Sequence, residues 1–196
     1  MDVGIILDVV RSGTPLTLRP EIERELMRRR IRIRRGDYLA VPVAFVLAKN
    51  RLFLAVAVPS PGVELKPGDE VDLRDKKKIA GWARITLGDL TSYAKEELSA
   101  VLDRILEERE REFVEFFNKA GPITTRLHSL ELLPGIGKKH MWDIIESRRK
   151  PFTSYEDIKK RVPLMPEPRR SLKERIMKEL EGGEKYYLFV LPPRKA

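Results

Sequence analysis

At 196 residues, 42% of them hydrophobic and 35% charged, the chain carries enough apolar side chains for one good core or two small ones. It has no cysteine and two histidines, His128 and His140, which excludes disulfides, thiolate metal sites, cysteine nucleophiles and a multi-histidine centre. The net charge of +9 favours polyanionic partners, because neutralising phosphates releases condensed counterions. No apolar run approaches the ~18 residues of a membrane span. The start, Met1-Asp2-Val3-Gly4, lacks the basic flank and long apolar stretch of a signal peptide, so the expected location is cytoplasmic, with no membrane partner. Frequent Arg and Glu fit the surface ion-pair networks of a thermophile.

The first 90 residues read as β-rich. Residues 4–11 form an apolar run of strand type, closed by a turn at Ser12-Gly13-Thr14-Pro15. A short strand at 16–19 and a helix over 20–30 follow, the helix from the spacing of Ile22, Leu26 and Met27. Residues 32–35 lead through Gly36-Asp37 into a strand over 38–47 that carries Pro42, hence an edge or a bulge. Lys49-Asn50 turns the chain into a strand over 51–58, and strands at 70–73 and 79–85 close the series. Short strands separated by close turns predict a small β-barrel over 1–90, of which an OB or S1 type is one option among several.

From residue 91 the pattern becomes helical. Thr91 or Ser92 caps a short helix through Leu98, and Ser99 a longer one to about Lys119, making 91–121 a helical connector. Its stripe of Leu102, Ile105, Leu106, Phe113, Phe116 and Phe117 must pack on one or both domains. Residues 122–184 read as four helices. The tail, 185–196, has strand-like composition over 185–191 and is expected to pair back onto the barrel.

The most informative segment is Leu133-Pro134-Gly135-Ile136-Gly137-Lys138-Lys139. An amphipathic segment over 124–133, with Leu127, Leu130 and Leu133 in register, precedes it; a helix over 138–149 follows. Gly135 and Gly137 permit backbone angles closed to other residues and let a phosphate come close. Ile136 plugs the cleft between the helices. The turn delivers amide hydrogens onto the second helix's N-terminus, where the dipole favours an anion, and Lys138 and Lys139 add charge there.

Leu133-Pro-Gly-Ile-Gly-Lys-Lys, followed by Ile144-Ile145 and Arg148, closely resembles the helix-hairpin-helix motif of DNA repair, replication and competence proteins. The resemblance implies that the amides of Gly135, Gly137 and His140 contact phosphate oxygens. It also implies a monovalent cation, K⁺ or Na⁺, at the carbonyls of Glu131, Leu133 and Ile136. A phenylalanine, Phe152, and a Ser154-capped helix continue the pattern towards a second turn over 162–168, which has no glycine. Residues 112–142 resemble an archaeal family of unknown function described as nucleotide- or RNA-binding. The fold class is therefore α+β: an OB- or S1-like barrel followed by an all-α helix-hairpin-helix domain.

Residues 19–35 hold eight arginines: Arg19, Arg24, Arg28, Arg29, Arg30, Arg32, Arg34 and Arg35. Acids stop at Glu25, so the later six read as a second phosphate-tracking surface as readily as a solvated ion-paired face. Tyr38, Phe45, Phe53 and Trp82 are aromatic types that stack bases, though such residues more often fill a barrel. Trp142 lies off the stripe of Met141, Ile144 and Ile145 and is expected to pack on a neighbouring domain. No metal-nuclease carboxylate set, Walker-type loop, Rossmann glycine pattern or Gly-x-Ser-x-Gly elbow occurs, and the expected protein is not an enzyme. Sequence-independent nucleic-acid binding, RNA before DNA, is the leading reading. The rival is a protein-interaction adaptor among ribosomal, ribonucleoprotein or repair partners.

Overall fold

The computed structural model describes residues 2–193. Two compact units form: one holds the residues up to Ser99 and those from Glu179 onward, the other is Ala100–Lys178. The chain is divided inside two continuous helices, rather than at the change of composition near residue 90.

In the first unit, β1 (Val3–Val10), α1 (Pro20–Arg28), β2 (Arg34–Arg35), β3 (Tyr38–Leu39), β4 (Val43–Ala48) and β5 (Phe53–Pro59) come first. β6 (Glu70–Asp72) and β7 (Ile79–Ile85) follow, then a 3₁₀ turn at Leu87–Asp89 and the start of α2 (Ser92–Glu108). Five strands form one curled antiparallel half-barrel in the order β6-β1-β4-β5-β7. β6 and β7 are its edges, so the expected small barrel is a half-barrel. The central strands β4 and β5 are buried at every position, which is why Val-Ala-Phe-Val-Leu-Ala and Phe-Leu-Ala-Val-Ala-Val-Pro show no polar alternation. β7 alternates buried and half-buried residues, as an edge with one covered face should.

Two sequence expectations change here. Residues 16–19 form no strand, and the long strand expected over 38–47 is two pieces. Pro42 cannot donate to a ladder, so the chain breaks there: Tyr38–Leu39 pairs back with Arg34–Arg35 across the Gly36-Asp37 turn, and β4 starts at Val43. Gly36 takes φ +64° at the first central position of that two-residue hairpin. Downstream of α1, Ile31 seats against β7 where a Cβ on Gly81 would lie 2.4 Å from the Ile31 Cδ1. Glycine there is needed for that close approach.

The tail returns to the sheet without becoming a strand. The buried Glu179 carboxylate accepts the N–H groups of Leu188, Phe189 and Val190 at 2.7, 3.0 and 2.9 Å. The Leu191 N–H donates to the Arg51 carbonyl at 3.0 Å, and Arg84 donates to the carbonyls of Leu191 and Pro192. A side chain thus takes the amides that a neighbouring strand would have used.

Asp2 is buried against Arg51, whose Nη2 stands 2.8 Å from Oδ2, and against Arg74 at 3.1 Å. Burial pushes its carboxyl up, but the Arg51 hydrogen bond and the charges of Arg51 and Arg74 outweigh that and hold it below its ordinary 3.8. Asp89, gripped by both forks of Arg19 at 2.7 Å, is lowered in the same way. A depressed carboxyl contributes stability above its unfolded value and loses it as pH falls through the folded one. Thermal melts are therefore expected to hold level down to about pH 4 on this account and drop below it, with Asp2→Asn flattening the drop. An unchanged acid limb in Asp2→Asn would show that this cluster does not set it.

Candidate functional site

The second unit contains most of α2, then α3 (Glu110–Lys119), the short pair β8 (Pro122–Thr124) and β9 (Leu127–His128), and a 3₁₀ turn at Ser129–Leu132. α4 (Lys138–Ser147), α5 (Tyr155–Arg161) and most of α6 (Pro168–Glu181) complete it. The helix expected over 124–133 is thus a two-strand pair and one 3₁₀ turn. Leu127, Leu130 and Leu133 are three apart, a spacing that suits a 3₁₀ turn as well as an α-helix. Thr124 and Thr125, next to Pro122, favour extended backbone.

His128 starts that turn. Its Nδ1 accepts the Leu130 N–H at 3.1 Å, while Glu131 Oε2 accepts the His128 N–H at 2.9 Å. Burial and the nearby Arg148 charge lower the His128 pKa against the pull of Glu131, and a neutral ring is what an Nδ1 acceptor requires. Ser129 donates its hydroxyl to the Gly121 carbonyl at 2.7 Å, anchoring the turn to the end of α3. These residues set the approach to the Leu133–Lys139 turn.

Within that turn the two glycines differ. Gly135 has φ +81°, and a Cβ there would lie 2.7 Å from Pro166 Cγ, so glycine is required for both angle and space. Gly137 has φ −92° and ψ −171°, extended backbone open to any residue, and a Cβ there would meet nothing within 4 Å. The expectation that both glycines use angles closed to other residues is corrected for Gly137. What remains special at Gly137 is open space.

Ile136 is buried, as expected of the plug, and its N–H donates to the Leu133 carbonyl at 3.1 Å. The Pro134 carbonyl accepts the Ser171 hydroxyl at 2.8 Å, pinning the turn to α6. Gly137 is the N-cap of α4, with no side-chain cap and no acid in the first turn. The first-turn amides, which include those of Lys138, Lys139 and His140, have no intrahelical acceptor. Lys138 and Lys139 are exposed, and Lys138 Nζ is 3.4 Å from Glu131 Oε1. Positive side chains on the positive end of a helix are unfavourable unless an anion joins them. Of the three carbonyls expected at a monovalent cation, the Leu133 oxygen already accepts the Ile136 N–H with one lone pair. Among the described residues, no group of three His, Cys, Asp or Glu side chains is placed to hold a metal.

Other residues of the motif are structural. Arg148 donates to the carbonyls of Phe117 at 3.0 Å and Ala120 at 2.7 Å, satisfying the end of α3. Asn118 exchanges two hydrogen bonds with the Phe152 backbone, at 3.0 and 2.8 Å. Ser154 caps α5 by accepting the Asp157 N–H at 3.0 Å. Trp142, expected against a neighbouring domain, is 63% exposed. Tyr155 donates its hydroxyl to the buried Leu106 carbonyl at 2.8 Å, and burial raises its pKa, so it is held as a protonated donor.

The second turn, expected over 162–168 without a glycine, lies between α5 and α6. Val162-Pro163-Leu164-Met165 repeats the order of Leu133-Pro134-Gly135-Ile136: a buried aliphatic, a proline, a residue with positive φ and a second apolar residue. Leu164 takes φ +61° where Gly135 takes +81°, at a cost of about 1–2 kcal/mol for a residue with a Cβ. Only the positive φ of Leu164 was not legible in the sequence, because no glycine marks the position.

In the first unit, the six arginines expected to bind phosphate separate into two groups. Arg29 lies over the Trp82 ring at 5.4 Å and pairs with Glu25 at 3.4 Å; Arg34 pairs with Glu23 at 3.3 Å. Arg28, Arg30, Arg32 and Arg35 are exposed and, among the described residues, have no ion-pair partner. Tyr38 is exposed and pairs with Arg35 across the β2–β3 hairpin, whereas Phe45 and Phe53 are buried and fill the sheet's core. Trp82 stacks on Phe53 at 5.7 Å.

These observations define a two-unit α+β protein with a curled antiparallel sheet, six α-helices among the described residues and a basic, uncapped helix start. A family model described as "Protein of unknown function (DUF655)" matches residues 3–191, and the chain belongs to that family. It is 42% identical over 155 residues to the uncharacterized protein MJ0038 of Methanocaldococcus jannaschii, covering 76% of this chain and 70% of that protein. The crystal structure of Af1531 from Archaeoglobus fulgidus, also assigned to DUF655, matches with a TM-score of 0.75 and 35% identity. That match covers 97% of this chain and all of the other. No helix among the described residues is long and apolar enough to cross a membrane.

Proposed function

We propose that this protein binds nucleic acid without catalysis and largely without regard to sequence, RNA in preference to DNA. In this reading the Leu133–Lys139 segment and α4 act as a helix-hairpin-helix grip. The observation that carries it is the start of α4: first-turn amides with no intrahelical acceptor, no acid within the first turn, exposed Lys138 and Lys139, the former 3.4 Å from Glu131, and open space over Gly137. A phosphate there accepts amide hydrogens, meets the helix dipole and balances Lys138 and Lys139 at once. A monovalent cation at the carbonyls of Glu131, Leu133 and Ile136 would add charge on the same side. None of these contacts touches a base edge, so the grip is indifferent to sequence.

Arg28, Arg30, Arg32 and Arg35 supply a second phosphate-tracking surface, and Tyr38 beside Arg35 a ring on which an unpaired base can stack. The half-barrel is read as OB-like on the same grounds.

Fluorescence anisotropy with single-stranded RNA, double-stranded RNA and duplex DNA across a salt series tests the proposal. Four to six phosphate contacts predict a log–log slope of about −3 to −5. Lys138→Glu/Lys139→Glu is expected to weaken binding by about 10²-fold and reduce the slope by about 2, with circular dichroism unchanged. Equal binding by the variant would move the grip to the arginine surface. No binding by either protein would leave the adaptor role.

A further inference from the structure

The second turn of the helical unit contradicts ordinary packing logic. Leu164 holds the left-handed backbone that glycine or asparagine adopts at least cost, yet its side chain is 88% exposed. Among the described residues it gains neither burial nor a hydrogen bond in return. Strain kept on an exposed apolar side chain points to a contact made outside the chain.

The position of this residue says what that contact is. Gly135 of the first turn packs directly on Pro166 of the second, so the two turns stand side by side. Leu164 is two residues from Pro166, and Gly137 two residues from Gly135. Each pair of Cα atoms is therefore separated by no more than about 7.6 Å. Lys139 and Lys160 are exposed in the same unit, and Arg170 is exposed although paired with Glu174 at 2.9 Å, a setting better suited to a polyanion than to an apolar protein surface.

Resting on the phosphate grip proposed above, we propose that Leu164 is an apolar wedge. It enters the base stack of the strand held at Gly137–Lys139, and the preferred ligand is nucleic acid with unpaired or weakly stacked bases. The first turn offers backbone amides and open space to phosphates; the second offers a leucine to bases. An apolar wedge must repay the cost of unstacking, and that cost is least at a bulge or an unpaired stretch.

The test compares the full-length wild type with Leu164→Gly on two RNA duplexes, one perfect and one with a single-nucleotide bulge flanked by 2-aminopurine. Wild type is expected to bind the bulged RNA about tenfold more tightly than the perfect one and to raise the 2-aminopurine fluorescence as the base unstacks. Leu164→Gly relieves the left-handed strain and is expected to melt about 2–4 °C higher. It keeps the salt slope but loses both the tenfold preference and the fluorescence rise. A variant that gains stability while losing discrimination supports the wedge. The wedge is overturned if wild type shows no preference for the bulge, or if Leu164→Gly discriminates as well as wild type. In the latter case, with Lys138→Glu/Lys139→Glu still defective, the grip stands and Leu164 belongs to a protein contact. If wild type binds neither RNA, grip and wedge fail together.

Discussion

Gly135→Ala is expected to destabilise the helical unit by about 2–4 kcal/mol, while Gly137→Ala changes stability by less than about 1 kcal/mol and weakens nucleic-acid binding. At Gly135 two costs combine. A Cβ at φ +81° costs about 1–2 kcal/mol, and its position 2.7 Å from Pro166 Cγ forces the two turns apart for about 1–3 more. Reduced freedom of the unfolded chain returns about 0.4–1 kcal/mol. At Gly137 the backbone is extended and the space empty, so the added methyl disturbs only the cap. That methyl would, however, stand where the proposed phosphate approaches the α4 amides. Urea unfolding followed by circular dichroism gives the stabilities, and anisotropy gives the affinities. Equal stability losses would remove the distinction between the glycines; full binding by Gly137→Ala would show that the open space is not used.

Arg161→Ala is expected to cost about 2–4 kcal/mol, although the residue lies at the end of a seven-residue helix where surface ion pairs are usually worth little. Its guanidinium donates to the Ser147 carbonyl, to the Lys150 carbonyl at 2.6 Å and to Asp157 at 3.0 Å, and it lies over the Phe152 ring at 4.6 Å. Removing it leaves the last carbonyl of α4, that of Ser147, and the Lys150 carbonyl without this donor and uncovers Phe152. Arg161→Lys keeps the charge but not the fork, and should recover only a small part of the loss. Arg149→Ala, which removes an exposed pair with Glu146 at 2.9 Å, is the control and should change stability by less than about 0.5 kcal/mol. A loss in Arg161→Ala no larger than in Arg149→Ala would show that these bonds are replaced by water.

Legibility in the sequence followed the range of the forces involved. Local signals were readable: Pro20 opens α1 with Ile22 and Leu26 inward, β7 falls at Ile79–Ile85, and Ser154 caps α5. The lysine-rich start of α4 was equally plain, because dipole effects act within one turn. What failed was period. Three leucines three apart suit two kinds of helix, and Pro42 broke a strand that composition alone ran together.

Taken alone, the sequence determined the chain's chemistry: no thiols, two imidazoles, a basic balance, a β-rich first half and a Gly-Ile-Gly turn feeding two lysines into a helix. Each is a property of composition or of neighbours along the chain. Tertiary structure decided which residues are spoken for. It gave Arg29 to Trp82, Arg34 to Glu23 and Arg148 to the end of α3, and left Arg28, Arg30, Arg32 and Arg35 exposed. It also set Gly135 against Pro166, made Gly137 an ordinary backbone in open space and turned Leu164 outward. Those outcomes depend on contacts between residues distant in sequence, where a side chain's partner is chosen by the packing of whole elements rather than by its neighbours.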